Sequence, residues 1–395
     1  MTAVGDRHLR LLAAAIAVSS IGDFVALLAL ALRAHEMWKS FGVALLFICL
    51  WSPLAALAGH VGLLVDRLET RGLAIGAAFF QAAVAVALAF AHSLVAVYAL
   101  TIVLGIGVAV SQASEFALVP LLTGTRAIAR ANGLVESMRG LGFMVGPLIG
   151  GALAAGAGTK AALLADAATF MLIGLVLAAL PVRRRAQVDE GSTPRARDGI
   201  QLLFSERVLT IAMAVGAVTL IFMSASIPGD FAYVQDVLGV GDLGMGAVLT
   251  AWSIGMIVAA NTLPQRVPLH AVALVTLVAA AVQGFAKFAA PFWLVFPFLL
   301  ACYVVGGAGH GVKNVGFRTL IHERVSADQH GRAFAAYNGL RNTAELVALA
   351  GGGVLVATLG GRGTLWIAGG VSGLAGLVGV GLLAASRDDP QPALD

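Results

Sequence analysis

Several ionisable side chains lie within long apolar stretches of the sequence, where a charge is costly. Asp23 and Glu115 could bind and release a proton, whereas Lys313 and its neighbour Asn314 could pair with one of these acids or bind an anionic substrate. A charged side chain at the centre of a bilayer costs at least about 2.5–3.5 kcal/mol, so each needs a partner, a water-filled cavity or a function. All four are candidates for a proton or substrate pathway. The alternative for each acid is a buried carboxyl held by hydrogen bonds.

Polar residues also recur at helical spacing in two corresponding regions. Asn132, Glu136 and Arg139 follow an i, i+4, i+7 spacing, so they share one helix face and Glu136 can pair with Arg139. The corresponding residues later in the chain are Asn338, Arg341, Asn342 and Glu345. These clusters could form bridges between two halves of the protein that break as the halves move, or they could be static pairs within one helix.

Two further charged residues have simpler explanations. Asp166 is expected to cap a helix or to pair with Lys160. Lys287 lies near the end of an apolar stretch, and its long side chain is expected to extend to the lipid headgroups.

The elements that position these residues are predicted to be membrane-spanning helices. The sequence is 59% hydrophobic and 12% charged, whereas a soluble domain carries roughly 25% charged residues. Apolar stretches of about 20 residues recur along the chain, and each can cross a hydrocarbon core of about 30 Å as a helix. Twelve spans, numbered in chain order, are predicted at 11–32, 40–64, 72–91, 94–120, 129–156, 161–180, 208–234, 243–263, 269–289, 291–321, 334–359 and 363–385.

The basic residues follow membrane topology, and they do not form a nucleic-acid-binding surface. With the N-terminus inside, seventeen of the 25 Lys and Arg residues lie in cytoplasmic loops, four in outer loops and four within spans. Basic loops stay in the cytoplasm. The sequence therefore predicts a multi-pass protein of the plasma (cytoplasmic) membrane with both termini in the cytoplasm.

The chain divides into two similar halves. Residues 1–180 and 208–395 each contain six spans, and residues 181–207 form a polar segment predicted to be a cytoplasmic linker. "SIGDF" at 20–24 resembles "SIPGDF" at 226–231. Two further matches lie in spans 4 and 10, at 105–112 and 307–314, and in spans 5 and 11, where Asn132 and Asn338 are offset by 206, so the three matches follow the same order with a nearly constant offset. Symmetry-related repeats are typical of alternating-access transporters, so two pseudo-symmetric six-helix halves are predicted.

The loop after span 2 carries a recognisable motif. It reads "GLLVDRLETR" at 62–71 and is similar to the G-x-x-x-D-R-x-x-x-R signature of the major facilitator superfamily, with Gly62, Asp66, Arg67 and Arg71 at the matching positions. The resemblance implies a cytoplasmic latch, in which the carboxylate binds a helix N-terminus and the arginines pair with acidic groups. The alternative is a plain basic turn on the cytoplasmic side.

Span 5 carries a second motif of the same family. "GLGFMVGPLIGG" at 140–151 resembles the antiporter motif found in exporters, and the matching residues are Gly142, Gly146, Pro147, Gly150 and Gly151. Glycines at every fourth position make a stripe on which another helix packs closely, while the proline favours a bend. Generic small-residue packing is the alternative.

Together the motifs resemble the twelve-span drug and siderophore exporter branch of the superfamily, of the macrolide-efflux and enterobactin-exporter type. That resemblance implies an all-α major facilitator fold and proton-coupled antiport, by alternating access, of a hydrophobic or amphipathic small molecule out of the cell, as in multidrug resistance. Neither a cofactor nor a metal is expected, and the chain is expected to function as a monomer. Since the sequence lacks G-x-x-x-x-G-K-[ST], ATP hydrolysis is not expected and the protein is not predicted to be an enzyme. The alternatives are a facilitator or lipid-type transporter without proton coupling, and a non-transporting receptor.

Overall fold

A computed structural model describes residues 3–57, 60–61, 64, 68–123, 128–181, 196–326 and 329–385. Within these ranges the chain is helical and contains no β-strand. The chain separates into two compact units. Unit 1 comprises Met1–Gly191 and Val240–Thr250, and unit 2 comprises Ser192–Gly239 and Ala251–Asp395.

The spans of the first half lie on four long helices. The helices are Ala3–Ala56, Thr70–Phe90, Leu94–Thr123 and Ile128–Ala179. Ala3–Ala56 contains span 1 and most of span 2 and is interrupted by non-helical backbone at Trp38 and Lys39. Ile128–Ala179 contains spans 5 and 6 and is interrupted at Gly158, whose φ of 80° and ψ of 165° suit only glycine.

The later spans follow a similar pattern. The helices are Ala196–Leu203, Arg207–Ala225, Ile227–Phe231, the π-helical turn Ala232–Val237, Gly241–Thr262, Val272–Ala289, Phe296–Arg324 and His330–Ala385, with short 3₁₀ turns at Pro264–Arg266 and Leu269–Ala271. His330–Ala385 contains spans 11 and 12 and is interrupted at Gly360, with φ of 69° and ψ of 174°. The first helix of this set lies in the predicted linker, and its Leu203 is fully buried in a core cluster of unit 2.

Among the residues that the structure describes, each of the twelve predicted spans lies wholly or mostly on helix. In the part of the chain that the structure describes, eight stretches are long and apolar enough to cross a membrane, and three of them each cover two predicted spans. Phe296–Arg324, which contains span 10, is not among the eight; it carries His310, Lys313 and Asn314. The all-α membrane fold is therefore confirmed, with boundaries that differ from the prediction by a few residues at most span ends.

Corresponding glycines allow close helix packing in both halves. A Cβ atom added to Gly105 of span 4 would collide with the backbone carbonyl of Leu50 in span 2, and one added to Gly311 of span 10 would collide with that of Met256 in span 8. Both members of the second contact lie 206 residues after those of the first. Since small residues let membrane helices approach each other closely, the two halves use the same packing contact.

Candidate functional site

A buried ion pair joins spans 4 and 5 in unit 1. Arg139 donates to Glu115, with 2.6 Å between the guanidinium nitrogen and Oε2, and the Ser111 hydroxyl donates to Oε1 of the same carboxylate at 3.0 Å. The two charged side chains are only 20% and 10% exposed. Arg139 therefore compensates the charge of Glu115. The side chains of Asn132 and Glu136 lie outside the described residues.

Asp23 adds a second carboxyl group to this pair. Its side chain is exposed on span 1 and interacts electrostatically with both Glu115 and Arg139. Two carboxyl groups and one guanidinium thus share a small region of unit 1, which we call the acidic cluster. When both acids are ionised these three groups carry a net charge of one negative, which one added proton neutralises, and Asp166 of span 6 also interacts electrostatically with Asp23.

Asp166 of span 6 lies beside span 1 and is only 1% exposed. The Thr169 hydroxyl lies 3.4 Å from Oδ1 of Asp166, and a Cβ added to Gly22 would meet both side chains. Lys160 instead stacks on the ring of Phe90, with Nζ 4.0 Å from the ring centroid. The predicted pairing of Asp166 with Lys160 is wrong, because a six-residue separation places the two side chains on different faces of the helix.

The antiporter-type motif packs on span 1. Cβ atoms added to Gly142, Gly146 and Gly150 would meet Ser20, Phe24 and Val25 respectively, so the glycine stripe faces the helix that carries Asp23. On the other side of span 5, the carbonyl of Pro147 contacts Gly246, and Gly151 contacts Asp242. These two contacts fall within unit 1, which includes the first turns of span 8.

Only one residue of the latch motif lies within the described part of the chain. Gly62, Asp66 and Arg67 fall outside it. Arg71 donates from Nε to the Leu177 carbonyl at 2.9 Å and from a terminal nitrogen to the Ala178 carbonyl. These carbonyls belong to the last turn of span 6, where the donors four residues later along the helix are missing, and the Leu177 carbonyl also accepts from the Leu180 N–H at 3.3 Å. Arg71 thus caps a helix C-terminus, a role that differs from the expected pairing with an acidic group.

Unit 2 contains a second buried ion pair, which the sequence did not predict. Lys287 donates to Oδ2 of Asp230 at 2.7 Å, and the Tyr303 hydroxyl donates to Oδ1 at 2.6 Å. Lys287 and Asp230 are 5% and 6% exposed. The predicted extension of Lys287 to the headgroups is wrong, because its ammonium group has a carboxylate partner inside the bundle. The repeat contained the signal, since Asp230 in "SIPGDF" corresponds to Asp23 in "SIGDF".

A polar and aromatic chain continues from this pair along span 10. The Trp252 ring centroid lies 6.0 Å from that of Tyr303 and 5.5 Å from that of His310. The two imidazole nitrogens of His310 contact the side-chain amides of Gln283 at 3.3 Å and Asn314 at 2.9 Å. A neutral imidazole has one donor and one acceptor, so one amide presents its oxygen and the other its NH₂ group.

Lys313 lies on the same buried face of span 10. Tyr303, His310, Lys313 and Phe317 are separated by seven, three and four residues, which places them on one side of the helix. Lys313 is 3% exposed, whereas Val304 and Val305, on the other side, are 37% and 48% exposed. Among the described residues no carboxylate forms an ion pair with Lys313.

The polar residues predicted to form a cluster on span 11 are more exposed than the buried face of span 10. Asn338, Arg341 and Asn342 are exposed, while Glu345 is half-buried and interacts electrostatically with Arg341. Arg341 also acts electrostatically on His310 and Lys313. The structure therefore brings span 11 into the electrostatic environment of span 10.

These features define a multi-pass helical membrane protein with ionisable groups inside its helical bundles. The sequence profile of the Major Facilitator Superfamily matches residues 12–293 and 263–395, so the chain belongs to this family of membrane transporters and is not an enzyme. A related protein, the uncharacterized MFS-type transporter YfiS of Bacillus subtilis (strain 168), is 23% identical over 371 residues, which cover 90% of this chain and 88% of that protein.

Solved transporters share the fold at low sequence identity. The nucleoside transporter NupG has a TM-score of 0.75 at 13% identity and covers 95% of this chain and 99% of its own. A bacterial homolog to the human lysosomal transporter Spinster, inward-facing and unoccupied, has a TM-score of 0.75 at 12% identity and covers both chains fully. A POT family transporter in complex with 5-aminolevulinic acid has a TM-score of 0.74 at 10% identity and covers 97% of each chain. These similarities establish the fold, and the substrate must be argued from the site.

Proposed function

We propose that this transporter is a proton-coupled antiporter that exports hydrophobic or amphipathic small molecules. The observation that carries the proposal is the acidic cluster, in which exposed Asp23 shares Arg139 with buried Glu115. With Glu115 and Arg139 paired, the net charge of these three groups depends on a proton at Asp23, and Asp166 of span 6 interacts electrostatically with the same carboxyl group. That dependence is what proton coupling requires.

The charges suggest a cycle for the acidic cluster. With Asp23 ionised, two carboxylates compete for Arg139, and the excess negative charge is costly within the membrane. A proton on Asp23 leaves Glu115 and Arg139 as a neutral pair hydrogen-bonded to Ser111. Proton entry and release therefore change the energy of this part of the bundle, and this change drives the conformational exchange of the transporter.

Export is supported by the motif in span 5. The glycine stripe faces span 1, so it allows movement of the backbone that carries Asp23. The latch motif and the loop charges favour a cytoplasmic side that holds both termini, in a plasma-membrane protein that acts as a monomer. The functional halves are residues 1–180 and 208–395, with the connecting segment in the cytoplasm.

Flux measurements in proteoliposomes test the coupling. A panel of amphipathic drugs is measured with and without an imposed pH gradient, for the wild type, Asp23→Asn and Glu115→Gln. We expect gradient-driven flux in the wild type. Asp23→Asn should lose at least about 90% of the gradient-driven component, because an amide cannot bind and release a proton and loss of a proton-transfer group lowers such rates by about a hundredfold or more. Lys160→Met, which removes a cation stacked on Phe90, is the matched control and should transport normally.

Two results would reject the proposal. Substrate exchange that ignores the pH gradient would indicate a facilitator or lipid-type transporter. The absence of flux for the whole panel, with a folded protein, would indicate a receptor.

A further inference from the structure

The buried charges of unit 2 do not balance among the described residues. Lys287 forms an ion pair with Asp230, whereas Arg341 interacts electrostatically with Glu345 but forms no ion pair with any of the described carboxylates. Lys313 is 3% exposed and forms an ion pair with none of the described carboxylates. A lysine buried among membrane helices needs an anionic partner or must lose its proton. The described residues provide no carboxylate partner for the ammonium group of Lys313.

The surroundings of Lys313 favour an anion. Arg341 is exposed and acts electrostatically on Lys313, so a second permanent positive charge bears on the same region. A guanidinium and an ammonium group together suit a carboxylate or a phosphate, since both donate charge-assisted hydrogen bonds. Two cations in one region repel each other when it is empty, and a bound anion relieves this repulsion.

The same helix face offers a surface for an apolar body. His310 lies three residues before Lys313, and the Trp252 ring lies 5.5 Å from the imidazole. The side-chain amides of Gln283 and Asn314 flank that imidazole, and only one of the two polar atoms of the buried Gln283 amide has a partner among the described residues. Aromatic rings with a few fixed polar groups are typical of small-molecule sites.

We propose that Lys313 and Arg341 form a subsite for the acidic group of an amphipathic anion, with Trp252 and His310 beside the apolar part of that molecule. The inference rests on the proposed transport function and narrows the substrate class to organic acids with a carboxylate, sulfonate or phosphate group. Lys287 does not contribute, because Asp230 already neutralises it.

Calorimetric binding measurements test the subsite without any transport. The full-length protein in phosphatidylcholine nanodiscs is titrated with matched pairs of an acid and its neutral amide, beginning with 2-naphthoate and 2-naphthamide and extending to alkyl and phosphonate pairs. Empty nanodiscs correct for partition into lipid. We expect the wild type to bind acids more tightly than amides, and Lys313→Met to weaken acid binding roughly ten- to a hundredfold while amide binding stays within about twofold.

Further variants separate an electrostatic role from a structural one. Lys313→Arg keeps the charge and should keep most of the preference for acids. Arg341→Gln changes an exposed side chain, so it provides a folded test even if Lys313→Met does not fold, and it should also lower the preference. Lys160→Met should match the wild type. Repeating the titration with phosphatidylglycerol in the nanodiscs distinguishes the source of the anion, since competition by this lipid identifies a headgroup phosphate as an occupant of the same subsite.

The proposal is overturned if no acid in the panel binds more tightly than its amide to the wild type. It is also overturned if Lys313→Met and Arg341→Gln weaken acids and amides equally. A protein that prefers acids but lacks gradient-driven flux would retain the subsite and reject proton coupling. Gradient-driven flux of neutral compounds without any preference for acids would support proton coupling and reject the subsite.

Discussion

At the scale of single residues, the two units compensate their buried charges differently. In unit 1, Arg139 binds Glu115 while Asp23 lies within electrostatic range of both. In unit 2, Asp230 is saturated by Lys287 and the Tyr303 hydroxyl. A shared partner leaves a charge that one proton can remove, whereas a saturated pair is already neutral. We therefore infer that the first arrangement serves function and the second serves stability.

Removing one partner of the saturated pair should be strongly destabilising. Asp230→Asn leaves Lys287 buried without a counter-ion, and such a change costs about 3–5 kcal/mol. Thermal unfolding of the purified protein should show a clear decrease in Tm, and Asp230→Asn combined with Lys287→Met should recover most of it. The control is Arg324→Gln, which breaks the half-exposed pair of Arg324 and Glu206 and should cost about 0–1 kcal/mol. Equal effects of Asp230→Asn and Arg324→Gln would contradict this account.

At the scale of elements, glycine determines where two consecutive spans separate. Gly158 and Gly360 adopt φ of 80° and 69° with ψ near 180°, in a region that other residues occupy only with strain. Each glycine follows the fifth span of its half, so the same glycine break occurs in both halves. Between spans 1 and 2 the break falls on Trp38 and Lys39, which shows that the turn chemistry differs at that position.

Replacing Gly158 should test this strain. A Cβ atom at Gly158 would meet nothing within 4 Å, so the cost of Gly158→Ala, about 1–3 kcal/mol, comes from the backbone alone. Gly156→Ala is the matched control, because Gly156 is equally uncrowded and its φ is not positive. We expect a lower Tm for Gly158→Ala only. A comparable decrease for both variants would mean that packing, and not the φ angle, determines the effect.

Close packing of spans 8 and 10 predicts that a glycine at their contact is also needed for stability. Gly311→Ala would force a methyl group against the Met256 carbonyl, and overpacking costs typically about 1–3 kcal/mol. Gly76→Ala, on span 3, meets nothing within 4 Å and should leave Tm nearly unchanged. If Gly311→Ala is as stable as the wild type, then spans 8 and 10 do not depend on this contact.

At the scale of the whole molecule, the sequence determined the spans better than the partners of their side chains. Long apolar runs indicate a helix whatever its neighbours, so even span 10 was predicted despite Lys313. The pairing of Lys287 with Asp230 was not predicted, because 57 residues separate them and hydropathy does not specify how a helix is rotated about its axis. The equivalence of Asp230 and Asp23 in the repeat was the one available indication. Likewise, the sequence did not predict that Arg139 of span 5 pairs with Glu115 of span 4.

The topology can be tested on the intact protein in cells. Because the predicted number of spans is even and the predicted basic loops lie on the side of the N-terminus, reporters fused to either end should both lie in the cytoplasm. Alkaline phosphatase fusions should be inactive at both termini, and green fluorescent protein fusions should be fluorescent at both. Opposite results at the two ends would overturn the twelve-span topology and the two-half interpretation with it.

The position of Trp252 beside Tyr303 and His310 gives the protein an intrinsic optical reporter. An indole this close to an imidazole changes its emission when the local dipoles reorient. A variant that retains only this indole would follow occupancy in real time and without a label, and its spectrum would distinguish an empty protein from a loaded one.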